Sequence, residues 1–114
     1  MEKEDKIVVL WTSGDKDVAE KVVLMYTQGA KIKKWFQDVV LVVWGPSTKL
    51  LASDSSLQEK VKGLKEAGVK VQACSVCAAD YGVAGKLEKL GIEVIPMGEP
   101  LTGYLKDDWK ILSF

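Results

Sequence analysis

The stretch EAGVKVQACSVC, residues 66–77, holds the end of one element, the whole of the next and the start of a third. Gly68 reads as the residue just past a helix, where the backbone turns left-handed and glycine is favoured. Val69 to Ala73 reads as a short strand. Two cysteines, Cys74 and Cys77, follow it. The segment KLGIEV, residues 89–94, repeats the grammar: helix end, glycine, β-branched residue, charge, valine. Strands alternating with helices in this way build a parallel sheet with helices on both faces.

Working outward from this stretch, the same alternation extends over the chain. Ile7 to Trp11 and Val39 to Trp44 are continuous apolar runs, as expected of strands covered on both faces. Between them, after TSGD with its candidate caps Ser13 and Asp15, the spacing of Val18, Val22, Met25, Tyr26 and Gly29 predicts one helix face running toward Trp35. Gly45-Pro46 stops the second strand. A short helix is expected over Lys49 to Ala52. Ser53-Asp54-Ser55-Ser56 reads as a loop and cap before a helix with Leu57, Val61 and Leu64 on its buried face. After the third strand, Cys77 to Leu90 reads as one helix, with Ala79, Val83, Leu87 and Leu90 in register. Ile92 to Ile95 is a fourth strand, Leu101 to Lys106 a short helix and Lys110 to Phe114 a last strand. The expected fold is α/β: a three-layer domain on a mainly parallel five-stranded sheet, occupying residues 1–114 as one unit.

Composition narrows the function. With 114 residues, 47% hydrophobic and 28% charged, the chain can bury a core without staples. Lysine plus arginine and aspartate plus glutamate each number 16, so the net charge is zero. That balance speaks against a nucleic-acid or anionic-membrane surface. The opening MEKEDK resembles neither a signal nor a transit peptide, and no apolar run has the length of a membrane span. Two cysteines without a secretion signal favour a reducing compartment, and the cytoplasm is expected. The absence of histidine removes Ser/His/Asp catalysis. Two cysteines alone are too few ligands for structural zinc within one subunit. TSGDKD has a single glycine, and its Asp15 and Asp17 would repel phosphate. No metal and no cofactor are expected.

Ligands of open parallel sheets bind beyond the carboxyl ends of the strands. The first strand ends in Trp11-Thr12-Ser13, the second in Trp44-Gly45-Pro46 and the third in Cys74-Ser75. These ends are expected on one edge, so Trp11, Thr12, Ser13, Trp44, Gly45 and Ser75 are candidate binding residues beside Cys74 and Cys77. Cys74 falls at a strand-to-helix turn, where backbone N–H groups stabilise a thiolate or a persulfide anion. Buried cysteine is also a common inert apolar side chain. Cys77, inside the helix and followed by Ala78-Ala79, fits that description better than Cys74. Cys-x-x-Cys after a strand further suggests a thioredoxin-type pair. Against that stand its place after the third strand, the Ser75-Val76 between the thiols, and Pro96, which follows a strand instead of preceding one.

In sum of its segments the chain resembles the DsrE/DsrF-like family of small sulfur-relay proteins. The resemblance is carried, in order, by IVVLWTSGDKD, VVLVVWGPS, VKVQACSVCAADYGV, GIEVIPMG and the closing KILSF, and spans residues 6–114. It implies a flavodoxin-like domain that assembles into homo-oligomers, often trimers or hexamers. It implies that Cys74, with Gly82 behind it, carries a persulfide between donor and acceptor proteins. Cys77 has no counterpart in that pattern. Asp80-Tyr81 stands where sulfur-transferring members tend to carry a basic pair.

Three functions follow. The first is a sulfur carrier or sulfurtransferase using Cys74, with Cys77 as a helper thiol. The second is a non-catalytic oligomeric module that binds a small ligand or partner near Trp11, Trp44 and Cys74. The third is a dithiol oxidoreductase.

Overall fold

The computed structural model describes residues 5–114; the charged opening read in MEKEDK lies largely outside them. Among the described residues five strands are formed: β1 (Lys6–Trp11), β2 (Asp38–Val43), β3 (Lys70–Cys74), β4 (Glu93–Ile95) and β5 (Lys110–Ser113). They make one sheet in the order β4-β3-β2-β1-β5. All four pairings are parallel, with Val9 opposite Leu41, Leu41 opposite Val71, and Ala73 opposite Val94.

The connections use six helices. The first, α1 (residues 16–32), is α-helical over Lys16–Val18 and Leu24–Ile32, with a π-helical segment at Ala19–Val23 between them. Then come α2 (Pro46–Ser53), α3 (Ser55–Glu66), α4 (Ser75–Tyr81), α5 (Ala84–Lys89) and α6 (Gly98–Lys106). Local chemistry explains several of their ends. Pro46 opens α2 at a position where its missing N–H costs nothing. Asp54 caps α3 by accepting the Leu57 N–H at 3.0 Å. Lys16 pairs with the same carboxylate at 2.8 Å, and so ties the start of α1 to the start of α3.

Strand order decides how the layers are shared. The crossovers from β1 to β2, β2 to β3 and β3 to β4 all step the same way along the sheet. Right-handed crossovers therefore leave α1 to α5 on one face. Only the return from β4 to β5 steps back, and it puts α6 alone on the other face. Side-chain parity follows. Ile7, Val9, Trp11, Val39, Leu41, Val43, Val71 and Ala73 point into the first face. There they pack on Ala19 and Val23 of α1, Leu51 of α2, Leu57, Val61 and Leu64 of α3, and Leu87 of α5. Val8, Val40, Val42 and Cys74 point to the second face, packed with Met97 and half-buried Leu101, Tyr104 and Trp109. Both faces carry helix as expected, but five helices cover one and a single helix the other.

Two expectations are corrected. The helix read over Cys77 to Leu90 is two helices, α4 and α5. Gly82 ends α4 with φ 71°, a left-handed turn that suits glycine and breaks the regular register. On α1 the face is displaced by one residue. Ala19, Val23, Leu24, Thr27 and Ala30 are the buried positions, whereas Val22 and Met25 are exposed. Val18 and Tyr26 of the expected face are half-buried against the same core, and small Ala19, Thr27 and Ala30 let the helix sit close to the sheet. The Thr27 hydroxyl is satisfied by the Val23 carbonyl at 2.7 Å.

Candidate functional site: two thiols at the carboxyl edge of the sheet

Cys74 is the last residue of β3 and stands at the N-cap of α4, still extended at φ −71° and ψ 120°. Its parity with Gln72 sends the side chain to the second face. It is 4% exposed, close to Met97, Val40 and Val42. Its strand neighbour in register is Ile95 of β4. The chain leaves β3 toward the first face and β4 toward the second, so the two strand ends diverge at this point. Such a divergence is where open α/β sheets form their crevices. Cys74 therefore lies at the topological switch point of this sheet.

Cys77 follows one helical turn later and is half-buried. It belongs to the second-face cluster with Cys74 and Trp44. The Gly45 N–H donates to its Sγ at 3.3 Å. Gly45 has φ 75° and ψ −141°, a backbone state closed to most side chains, and this aims its amide across the edge toward α4.

The two thiols are electrostatically unequal. Burial alone would push Cys74 up. The backbone N–H groups of Cys77, Val76 and Met97, with the Cys77 thiol, outweigh it and hold Cys74 below the ordinary thiol range. Cys77 is pushed up, first by burial, then by the negative charge of Cys74 and of Asp80, against the opposing Gly45 amide. Cys74 is thus the first of the pair to ionise, with the Cys77 thiol placed to donate to it. Since α4 has seven residues, these few local amides do the stabilising, rather than a long helix dipole.

The other candidates divide. Trp44, Gly45 and Ser75 lie at this edge with the thiols. Trp11 does not bring its indole there. Odd parity along β1 sends that side chain into the first-face core, fully buried, with its N–H on the Ser13 carbonyl at 3.0 Å. Thr12 and Ser13 are occupied with structure: the Thr12 amide and hydroxyl and the Ser13 amide all donate to the Phe114 carbonyl, at 2.7, 2.8 and 3.2 Å. They lock the end of β5 to that of β1. Ser47, not foreseen as important, ties the ends of β1 and β2. It receives the Trp44 N–H at 3.2 Å and donates to the Trp11 carbonyl.

A second group beside Cys74 escaped the sequence reading. Tyr104 of α6 donates its hydroxyl to Gln72 Oε1 at 2.7 Å, and Gln72 Nε2 donates to Glu93 Oε1 at 3.0 Å. The Tyr104 phenol is raised, mainly by burial and also by the Glu93 charge. The only signal for this network was Gln72 itself, a lone polar residue in an apolar strand with the parity of Cys74. Among the described residues, no group of three or more metal-ligating side chains is placed to hold an ion, and no helix is long and apolar enough to cross a membrane.

A small parallel α/β domain with a paired thiol at the switch point of its sheet defines a thiol-bearing class within this fold. The DsrE/DsrF-like family model matches residues 5–114, and the chain belongs to that family, which is of sulfur-relay type. Among solved structures, a conserved protein of unknown function from Bacteroides thetaiotaomicron, BT1422, is 38% identical with a TM-score of 0.95, covering 100% of this chain and 98% of its own. The YchN protein of E. coli is similar in fold, at 18% identity and a TM-score of 0.74, over 96% of this chain and 98% of its own. No curated protein matches the sequence.

Proposed function

We propose that this protein is a sulfur carrier that holds a persulfide on Cys74 and passes it between partner proteins in the cytoplasm. The observation that carries the reading is the cluster of Cys77, Val76 and Met97 amides around a thiol at the β3–β4 divergence. Amides that favour a thiolate also favour a terminal persulfide anion. In the loading step the Cys74 thiolate attacks the outer sulfur of a persulfide brought within its reach, whose bearer is the donor. A new S–S bond forms to Cys74, the donor S–S bond breaks, and the donor leaves as a thiol after taking up the proton. Delivery is the reverse exchange with an acceptor thiol, and neither step needs an oxidant.

The carrier works as a homo-oligomer, a trimer or hexamer, in this reading. Supporting it are the lightly covered second face of the sheet and the exposed side chains of Val22, Met25, Ile32 and Trp35, apolar groups that a second copy of the chain would cover.

Mass spectrometry after incubation with a sulfane-sulfur donor tests both parts. Denatured wild type is expected to gain one sulfur that peptide mapping places on Cys74, a gain retained on Cys74 in Cys77→Ser. Native spectra of the same samples are expected to show multiples of the 12.5 kDa chain. No adduct on any variant, with both thiols slow to alkylate, would overturn the carrier in favour of a binding module at the Trp44 edge.

A further inference from the structure

We propose that Cys77 is the port through which sulfur enters and leaves, so that the sulfane atom moves between the two thiols of this chain before it meets a partner. The inference rests on the carrier reading above. Its own basis is the unequal burial of two sulfurs on one helical turn. Cys74 is 4% exposed, and Met97 in the same apolar cluster is 1% exposed. Thiol exchange requires the incoming sulfur to line up with the bond it breaks, and access limits its rate. A cysteine on a folded partner has no such approach to Cys74. Cys77 does offer one. It is half-buried in the same cluster, next to Val76, which is 61% exposed, and close to half-buried Trp44. The Gly45 amide, 3.3 Å from its Sγ, is a fixed donor for negative charge on that sulfur.

The steps balance without a co-reactant. Cys77, once deprotonated, attacks the outer sulfur of the partner's persulfide. The partner leaves as a thiol and a persulfide stands on Cys77. The Cys74 thiolate then attacks the outer sulfur of that group. The bond from Cys77 Sγ to the sulfane sulfur breaks as the bond to Cys74 forms, and Cys77 regains its proton. Both steps are thiol-for-thiol exchanges with no net oxidation. The buried Cys74 is the resting place of the sulfur and the half-buried Cys77 its doorway. Attack on the inner sulfur would differ. It would release hydrosulfide, leave a Cys74–Cys77 disulfide, and require an external dithiol for the next turnover.

The test compares two donors on the full chain: inorganic polysulfide, which is small, and a persulfide borne on serum albumin, which is not. Wild type, Cys77→Ser and Cys77→Ala are loaded, the added sulfur is timed by intact mass and placed by peptide mapping. Thermal unfolding midpoints exclude a folding defect. The ratio of the albumin rate to the polysulfide rate is expected to fall about tenfold or more in both Cys77 variants, since access governs exchange with a bulky thiol. The sulfur is expected on Cys74 in every protein that loads. An unchanged ratio, with sulfur on Cys74, would overturn the port and leave the carrier standing. An intramolecular disulfide with free sulfide in place of the adduct would overturn the port in favour of reductive release. No adduct anywhere would remove the carrier and the port together.

Discussion

Cys74 and Cys77 show how far a side chain's chemistry is set by backbone atoms from elsewhere. Both are ordinary thiols in sequence. The first ionises early because three amides and the Cys77 thiol face it, and the second late because it is buried and then because the first is charged. Alkylation of Cys74 followed against pH should therefore inflect below the ordinary thiol value of about 8.5. In Cys77→Ser the inflection should move, because the donor thiol is replaced by a hydroxyl and the neighbouring titration is gone. Stability follows with a definite sign. The folded Cys74 pKa lies below that of the unfolded chain, so its contribution is full above the unfolded value and is lost as pH falls through the folded one. Cys77, raised on folding, works against stability as pH climbs past the unfolded value. An inflection of Cys74 at or above the ordinary thiol value would contradict this account. The position of Cys74 was legible because a strand of apolar residues ends on it. The Met97 amide was not, because a backbone N–H leaves no mark in sequence and reaches the site only through the β4–α6 turn.

Helix α1 shows the limit of periodicity. Two overlapping stripes are available, one through Val18, Val22 and Met25, the other through Ala19, Val23, Thr27 and Ala30. Hydrophobicity favours the first; closeness of approach to the sheet selects the second. The difference can be read in stability. Val23→Ala empties a fully buried site and should cost about 2 kcal/mol in chemical denaturation, as core truncations do. Val22→Ala, on an exposed position, should stay within about 0.5 kcal/mol. Equal losses would mean that the stripe chosen by hydrophobicity is the packed one after all. Strands were easier to place, since β1 and β2 are unbroken apolar runs that nothing but a covered sheet can accommodate. The division of residues 77–90 was harder. A left-handed Gly82 is one residue in a stretch otherwise fit for a single helix.

The asymmetric layering links these details. Five helices hold the first face, while the second depends on α6, of which no residue is fully buried. Its anchorage is specific: the Tyr104 hydroxyl on Gln72, the Tyr104 ring 4.8 Å from that of Trp109, and Lys6 with Asp107 at 3.3 Å. Tyr104→Phe leaves the Gln72 oxygen without that partner in a 3% exposed site, a loss of about 1–3 kcal/mol. The looser helix should speed alkylation of Cys74 more than that of Cys77. Equal acceleration, or none, would show that α6 does not shield the buried thiol. The parallel pairing of the strands was implicit in their alternation with helices, an alternation that several strand orders share. The position of β5 beside β1 was not, because it depends on the return of the chain across the second face.

That return has a consequence in time as well as in space. Strands β2 to β4 each dock beside the strand just before them in the chain, which is the kind of contact that forms early. Strand β5 must find β1 from the far end of the described sequence, and the entropy of closing so long a loop delays it. The α6 segment lies between β4 and β5 and settles when β5 does. Burial of Cys74 beneath the Met97 turn thus belongs to the closing act of folding, and a chain caught short of it presents an uncovered thiol to every oxidant in its surroundings.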